Sequence, residues 1–354
     1  MNNRVEQFKQ LMQQNNINNF IITDPFNLIY LANFHGLAGD GCMVVSNQQP
    51  VLITDSRYEV EMQGKLPENV DLKITRDYYA TAAQLLKDND ENVGVESSLN
   101  FKTYKRLSQL LPNRLVAKDG LIEKLRDHKD QEELSILTKS TKLVSEAYQA
   151  LLDYVQIGLT EKEVSLWLYN WMLNYGAQKP SFNTIVASGY RSALPHGDAT
   201  DKKLEQGDLV TVDFGFYYDD YTSDMTRTFA LGNPGSELKR AYQVVLDAQS
   251  KMINAMHDGV DGKRVDAAAR DYITEQGFGK YFGHGSGHSI GLDIHETPIL
   301  NPNCKDKIFE NYVMTAEPGI YLPGKGGIRI EDDILVQKDG SKVLTTAPKH
   351  LIIL

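Results

Sequence analysis

Cysteine is nearly absent from this sequence: among 354 residues only Cys42 and Cys304 occur, far apart and with no Cys or His at metal spacing beside either. That excludes a disulfide scaffold and a thiolate zinc site, and leaves two buried or idle thiols. No apolar run approaches the eighteen or so residues that a membrane-spanning helix needs. The opening segment MNNRVEQFKQLMQQNN has no apolar core of signal-peptide length, so a cytoplasmic protein is expected. Basic residues are outnumbered, 37 to 47, for a net charge of −10. They form no stripe or patch, which argues against nucleic acid and anionic membranes as partners. Low-complexity tracts and internal repeats are also missing. What is present, 41% hydrophobic and 24% charged residues, resembles an ordinary globular chain long enough for two cores.

The first 120 residues alternate short apolar runs with amphipathic segments. NNFIITD, CMVVSN, PVLITDS and NVGVESS read as strands, and VEQFKQLMQQ, ATAAQLLKD and YKRLSQLL as helices, which suggests an α/β domain. The charged stretch EKLRDHKDQEE then leads into a helix with apolar Leu134, Leu137, Val144, Tyr148 and Leu151 on one face. The boundary is placed at Arg126, giving domains 1–126 and 127–354. In TEKEVSLWLYNWMLNYG, Thr160 and Glu163 form a capping box and Gly176 marks the stop of a further helix. Two more helices are expected near 236–256 and 264–276.

Acids occupy unusual places in the second domain. GDLVTVDFGFYYDDYTSDMTRTFAL reads as a β-hairpin in which Asp213 interrupts an apolar run. With Tyr217 to Asp220 as the turn, Asp213 falls directly across from Asp224, and two like charges so placed call for a proton or a cation. Glu317 ends an apolar strand stopped by Pro318-Gly319. Glu331 lies within another apolar run, where period two puts Arg329, Glu331 and Asp333 on one face and makes Arg329 a natural partner for Glu331. The stretch GHGSGHSIGLDIHE adds three of the eight histidines. His284 and His288 stand four apart as in a helical zinc site, but Gly283, Gly285, Gly287 and Gly291 each oppose a helix. A loop passing close to a site fits better. Singly, each acid is most simply a solvated strand-face residue. Together, Asp213, Asp224, His288, Glu317 and Glu331 make a hard donor set able to hold two divalent ions.

This ordered set resembles the pita-bread metallopeptidases, the family of Xaa-Pro dipeptidase (prolidase), aminopeptidase P and methionine aminopeptidase. LPHG at Leu194 to Gly197, IHE, EPGIY and GIRIEDD are similar to the proline-specific branch. The resemblance implies an N-terminal creatinase-like α/β domain followed by a catalytic pita-bread domain, α/β (α+β) overall. It implies a hydrolase cutting the Xaa-Pro bond of peptides with proline in second place, a homodimer, and two metal ions, most often Mn²⁺ with Co²⁺ or Zn²⁺ as alternatives. By the same resemblance Asp213, Asp224, His288, Glu317 and Glu331 are the ligands. Glu317 also shuttles protons, and His196, His284 and His295 contact the substrate; Arg329, as the strand-pattern partner of Glu331, is expected to support catalysis through it. Some prolidases carry an arginine shortly after HE as a clamp for the proline carboxylate. Here Ile299 stands in that place, so the dipeptidase reading competes with aminopeptidase P, and more distantly with methionine aminopeptidase or a metal-free relative such as creatinase or a binding protein.

Overall fold

The computed structural model describes residues 3–87 and 91–354, so Met1 and Asn2 of the opening segment and Asp88, the last residue of ATAAQLLKD, lie outside the described residues. The chain divides into two compact units, Met1–Arg126 and Asp127–Leu354.

The N-terminal unit is built on a six-stranded mixed sheet. Its strands run edge to edge as Asp71–Ile74, Val51–Thr54, Gly41–Val45, Asn19–Ile22, Val93–Val95 and Leu115–Ala117. The central strands are the apolar runs read from sequence, and Ile21, Cys42, Val44, Ile53 and Val93 form the core with helices Tyr78–Leu85 and Phe101–Leu110. Both edge strands went unread: Asp71–Ile74 alternates exposed and half-buried residues, and Leu115–Ala117 is apolar but only three residues long. The first helix after the opening strand, Pro25–Ala32, starts where Asp24 accepts hydrogen bonds from the Phe26 and Asn27 amides. Buried Glu96 in turn accepts from the Thr23 and Asp24 amides and from Asn27 Nδ2.

In the C-terminal unit, helix Gln131–Tyr154 begins with a capping box between Asp130 and Glu133, and Glu161–Asn174 with the expected one between Thr160 and Glu163. These two helices pack against a three-stranded antiparallel sheet of Met225–Ala230, Leu209–Phe214 and Ile185–Ser188. Helices Ser236–Asn254 and Gly262–Glu275 build a second core with a five-stranded sheet in the order Glu296–Leu300, Gly287–Ser289, Val313–Ala316, Asp332–Gln337, Gly340–Val343. A two-stranded ribbon, Gly319–Leu322 with Gly326–Arg329, completes it. The fold is thus α/β in the N-terminal unit and mixed α/β throughout, as expected.

Two local expectations need correction. Asp213 pairs with Thr226, not with Asp224. The turn is shorter than supposed: Tyr218 and Tyr221 bridge each other, and Asp219 and Asp220 between them both take positive φ, 45° and 70°. Aspartate tolerates that conformation, which suits a two-residue hairpin turn. A shift of two leaves each side chain on its face, so the two acids still share one. Glu331 is likewise not inside a strand. The chain leaves the ribbon at Arg329 and enters the five-stranded sheet at Asp332, so Ile330 and Glu331 form the crossing and strict alternation fails there.

Candidate metal centre and substrate cavity

A cavity of about 390 Å³ opens in the C-terminal unit. Asp213, Asp224, His288, Glu317 and Glu331 all line it, together with His196, His284, His295 and Arg329. Every residue named from the sequence as a ligand, a substrate contact or a catalytic partner therefore meets at one place. Asp213 comes from the middle of the three-stranded sheet, and Asp224 from just before its edge strand. Glu317 follows the strand Val313–Ala316, and Glu331 sits at the crossing between ribbon and sheet.

Close acids define the centre. Ligand atoms of Asp224, His288 and Glu331 lie within 4.8 Å of one another. His288 Nε2 stands 3.4 Å from Glu317 Oε1 and 3.7 Å from Asp224 Oδ2. Burial lowers the His288 pKa to about 4, helped by the neighbouring His295, so the ring is neutral at pH 7. Its Nδ1 lies 3.1 Å from the Ser289 carbonyl, an acceptor only, and must carry the proton. Nε2 is then a bare lone pair facing carboxylate oxygens. Lone pairs do not attract one another, but a cation between them would satisfy all three. Buried Asp213 Oδ1 and Asp224 Oδ1 also have no hydrogen-bond partner. Burial, then the charges of Glu331, Asp213, Asp333 and Glu317, push the Asp224 carboxyl well up. Burial and then Glu317 do the same to Glu331, while burial raises Glu317 to about 7 against the opposing pull of Arg329. Carboxylates crowded in this way without a counter-charge fit divalent cations.

Hydrogen bonds around the ligands fix their directions. Arg329 donates to Asp213 Oδ2 at 2.6 Å, to the Tyr321 hydroxyl, to the Pro195 carbonyl and, through Nε, to Thr226 Oγ1. Thr226 Oγ1 donates to Glu331 Oε2 at 2.7 Å. Arg329 thus grips Asp213 and reaches Glu331 only through Thr226, a correction to the direct pairing read from the strand pattern. Asp333 Oδ2 accepts from the Asp224 amide. Fully buried Arg227 donates to the Glu331 carbonyl and pairs with Asp332.

The remaining histidines differ in their freedom. His284 Nδ1 is 2.6 Å from the Gly285 carbonyl and Nε2 is 2.9 Å from the Tyr321 hydroxyl. With its pKa lowered to about 4, by burial first and then by Arg329, it is a neutral ring with both nitrogens engaged by the protein. His196 and His295 are exposed at the cavity. Several contributors, Arg227 and Asp332 among them, had no role assigned from sequence. Tyr321 and Asp333 sat in the quoted EPGIY and GIRIEDD, whereas Thr226 carried no signal beyond its place on a strand.

Residues 135–338 match the model of metallopeptidase family M24. The chain belongs to that family. Residues 4–128 match the Creatinase/Prolidase N-terminal domain. An Xaa-Pro dipeptidase of Pyrococcus horikoshii is 36% identical over 354 residues, covering 99% of each chain. Among solved structures, an Xaa-Pro dipeptidase from Bacillus anthracis is 39% identical with a TM-score of 0.95 over 99% of each chain. An X-Pro aminopeptidase from Thermotoga maritima is 33% identical with a TM-score of 0.88, over 98% of this chain and all of that one. No helix among the described residues of this M24 peptidase is long and apolar enough to cross a membrane.

Proposed function

We propose that the chain is an Xaa-Pro dipeptidase: a dinuclear hydrolase that cuts the bond before proline, acting in the cytoplasm as a homodimer with Mn²⁺. The observation that carries this reading is the bare His288 nitrogen converging with four carboxylates on one small cavity, in a chain similar from end to end to proteins named for that activity. Oxygen-rich ligation favours Mn²⁺, with Co²⁺ or Zn²⁺ as substitutes.

Asp213, Asp224, His288, Glu317 and Glu331 would hold the pair of ions. When bound, the ions supply a water that ionises near neutral pH and a Lewis acid for the scissile carbonyl. Arg329 orients Asp213 for this task, and Thr226 orients Glu331. Glu317 would take a proton from the attacking water and deliver it to the departing proline nitrogen. His196 and His295 donate hydrogen bonds to the oxygen on which negative charge develops. His284, held by Tyr321 and Gly285, walls the cavity. An Xaa-Pro amide has no N–H for a backbone to grip, so side chains lining the cavity must place it.

Ile299 at the cavity wall favours a second reading, cleavage of longer Xaa-Pro peptides, because no cation stands there for a free carboxylate. The deciding experiment compares kcat/KM for Ala-Pro and Ala-Pro-Ala in Mn²⁺. Faster cleavage of the dipeptide is expected, and a clear preference for the tripeptide overturns the dipeptidase assignment. Release of methionine from Met-Ala peptides with Ala-Pro untouched would overturn proline specificity itself.

A further inference from the structure

Glu296 ends the glycine-histidine stretch but is not part of the cavity lining. It is buried, 7% exposed, and its Oε2 lies 3.0 Å from the ammonium of Lys129, itself 2% exposed. Lys129 also reaches Ser289 Oγ at 3.4 Å, and its backbone amide donates to the Asn311 carbonyl. The other oxygen of Glu296 accepts from the Asp293 amide. Gly291 passes so close that a Cβ there would lie 2.6 Å from the carboxylate. The ion pair therefore ties Ser289 and Asp293, on either side of a Gly291 that packs against the carboxylate.

Apart from the ion pair, the turn is held by the Ile290 amide on the Val313 carbonyl and by the Thr222 amide and hydroxyl on the Gly291 carbonyl, none of which reaches 294–295. Between His288 and Ser289 the ladder to Glu296–Leu300 shifts register, His288 facing Ile299 and Ser289 facing Glu296. Regular pairing is lost where the chain turns to bring His295 back, and the His288 and His295 rings meet edge to face with centroids 4.7 Å apart. A buried ion pair adds little net stability over an apolar pair of similar volume, but it sets a distance and a direction. We propose that the Lys129–Glu296 pair is a positioning device that holds the 290–295 turn so that His295 faces the substrate beside His288. Neither residue takes part in bond making.

The inference rests on the proposed peptidase reading only where activity is measured. The test uses the full chain with Lys129→Met and Glu296→Gln combined, which removes both charges and leaves neither buried alone. In metal-free protein, the imidazole NMR signals of His295 should shift or broaden while those of His196 stay; an unmoved His295 overturns the proposal whatever the enzyme does. In Mn²⁺, kcat for Ala-Pro should fall roughly 10- to 100-fold, as for a misplaced catalytic group, with KM changed far less. Adding the pair of substitutions to His295→Ala should cost no more than about twofold further, because the device acts through a ring already absent. Fully additive losses overturn it. Failure of the double variant to fold would make the pair a requirement of the fold and overturn it equally.

Discussion

Removing the Glu161 carboxylate tests how the cavity wall is held. Glu161 is fully buried, and its two oxygens accept from the Ser188 amide and hydroxyl, the Arg191 guanidinium, and the Thr200 amide and hydroxyl. Arg191 in turn donates to the Asp198 carbonyl. Residues 188–200 are thereby clamped at both ends, and they carry Pro195, His196 and Asp198 into the cavity. Glu161→Ala strands two backbone amides and a largely buried cation. Each orphaned group costs about 1–3 kcal/mol, and breaking a buried pair costs about 3–5 kcal/mol. These overlap, so a total loss of about 3–5 kcal/mol is expected. Both tryptophans, Trp167 and Trp171, lie in helix Glu161–Asn174, so urea unfolding followed by their fluorescence reports on the C-terminal unit. Activity should fall as well, through loss of the His196 position, and Glu161→Gln should be milder because its carbonyl still accepts one amide. A loss under about 1 kcal/mol for the alanine variant would refute the clamp.

Other substitutions probe the centre and the N-terminal unit. Asp224→Asn or Glu331→Gln should abolish turnover with the fold retained, and near wild-type rates at saturating Mn²⁺ would sink the dinuclear assignment. His288→Ala should reduce bound metal by elemental analysis while His295→Ala leaves it intact; equal losses would mean the two rings are wrongly sorted. Arg329→Ala should lower kcat/KM roughly 10- to 100-fold through a loosened Asp213. Burial pushes the Glu96 carboxyl from 4.5 up to about 7, so the folded unit binds this proton more tightly than the unfolded chain. Its contribution is fully present below pH 4.5 and is lost as pH rises through about 7. Calorimetry should show wild type losing stability relative to Glu96→Gln across that window, and a constant difference would refute the assignment.

What could be read in the sequence follows from where the physical signal resides. Asp213, Glu317 and Glu331 stood out because each interrupts or ends an apolar run that would otherwise be plain strand, and Asp224 because it lies on the facing arm of the hairpin that carries Asp213. Helices with a capping box and one apolar face were equally plain. The hairpin register was misjudged because the backbone freedom of Asp219 and Asp220 decides it, and a pair of aspartates in a polar turn does not announce positive φ. The partner of Arg329 was misassigned for a related reason: period two describes one continuous strand, and the chain changes sheets at Ile330 and Glu331. Lys129 and Glu161 gave no warning at all. Each lies in or beside a helix start where a charged residue is ordinary, and only tertiary packing buries it.

The long-range grips at the centre have a kinetic meaning. Arg329 reaches Asp213 across 116 residues of sequence, and Arg227 reaches the Glu331 carbonyl across 104. The hairpins that carry these groups close over short loops, whereas joining them needs chain ends far apart to meet, which is slow. On refolding, helix Glu161–Asn174 and its neighbour can pack early, before the two halves of the centre find each other. Tryptophan emission should then recover ahead of hydrolysis, and the interval is the time the chain takes to close those loops. Recovery of both in a single phase would mean that the centre assembles together with the helices.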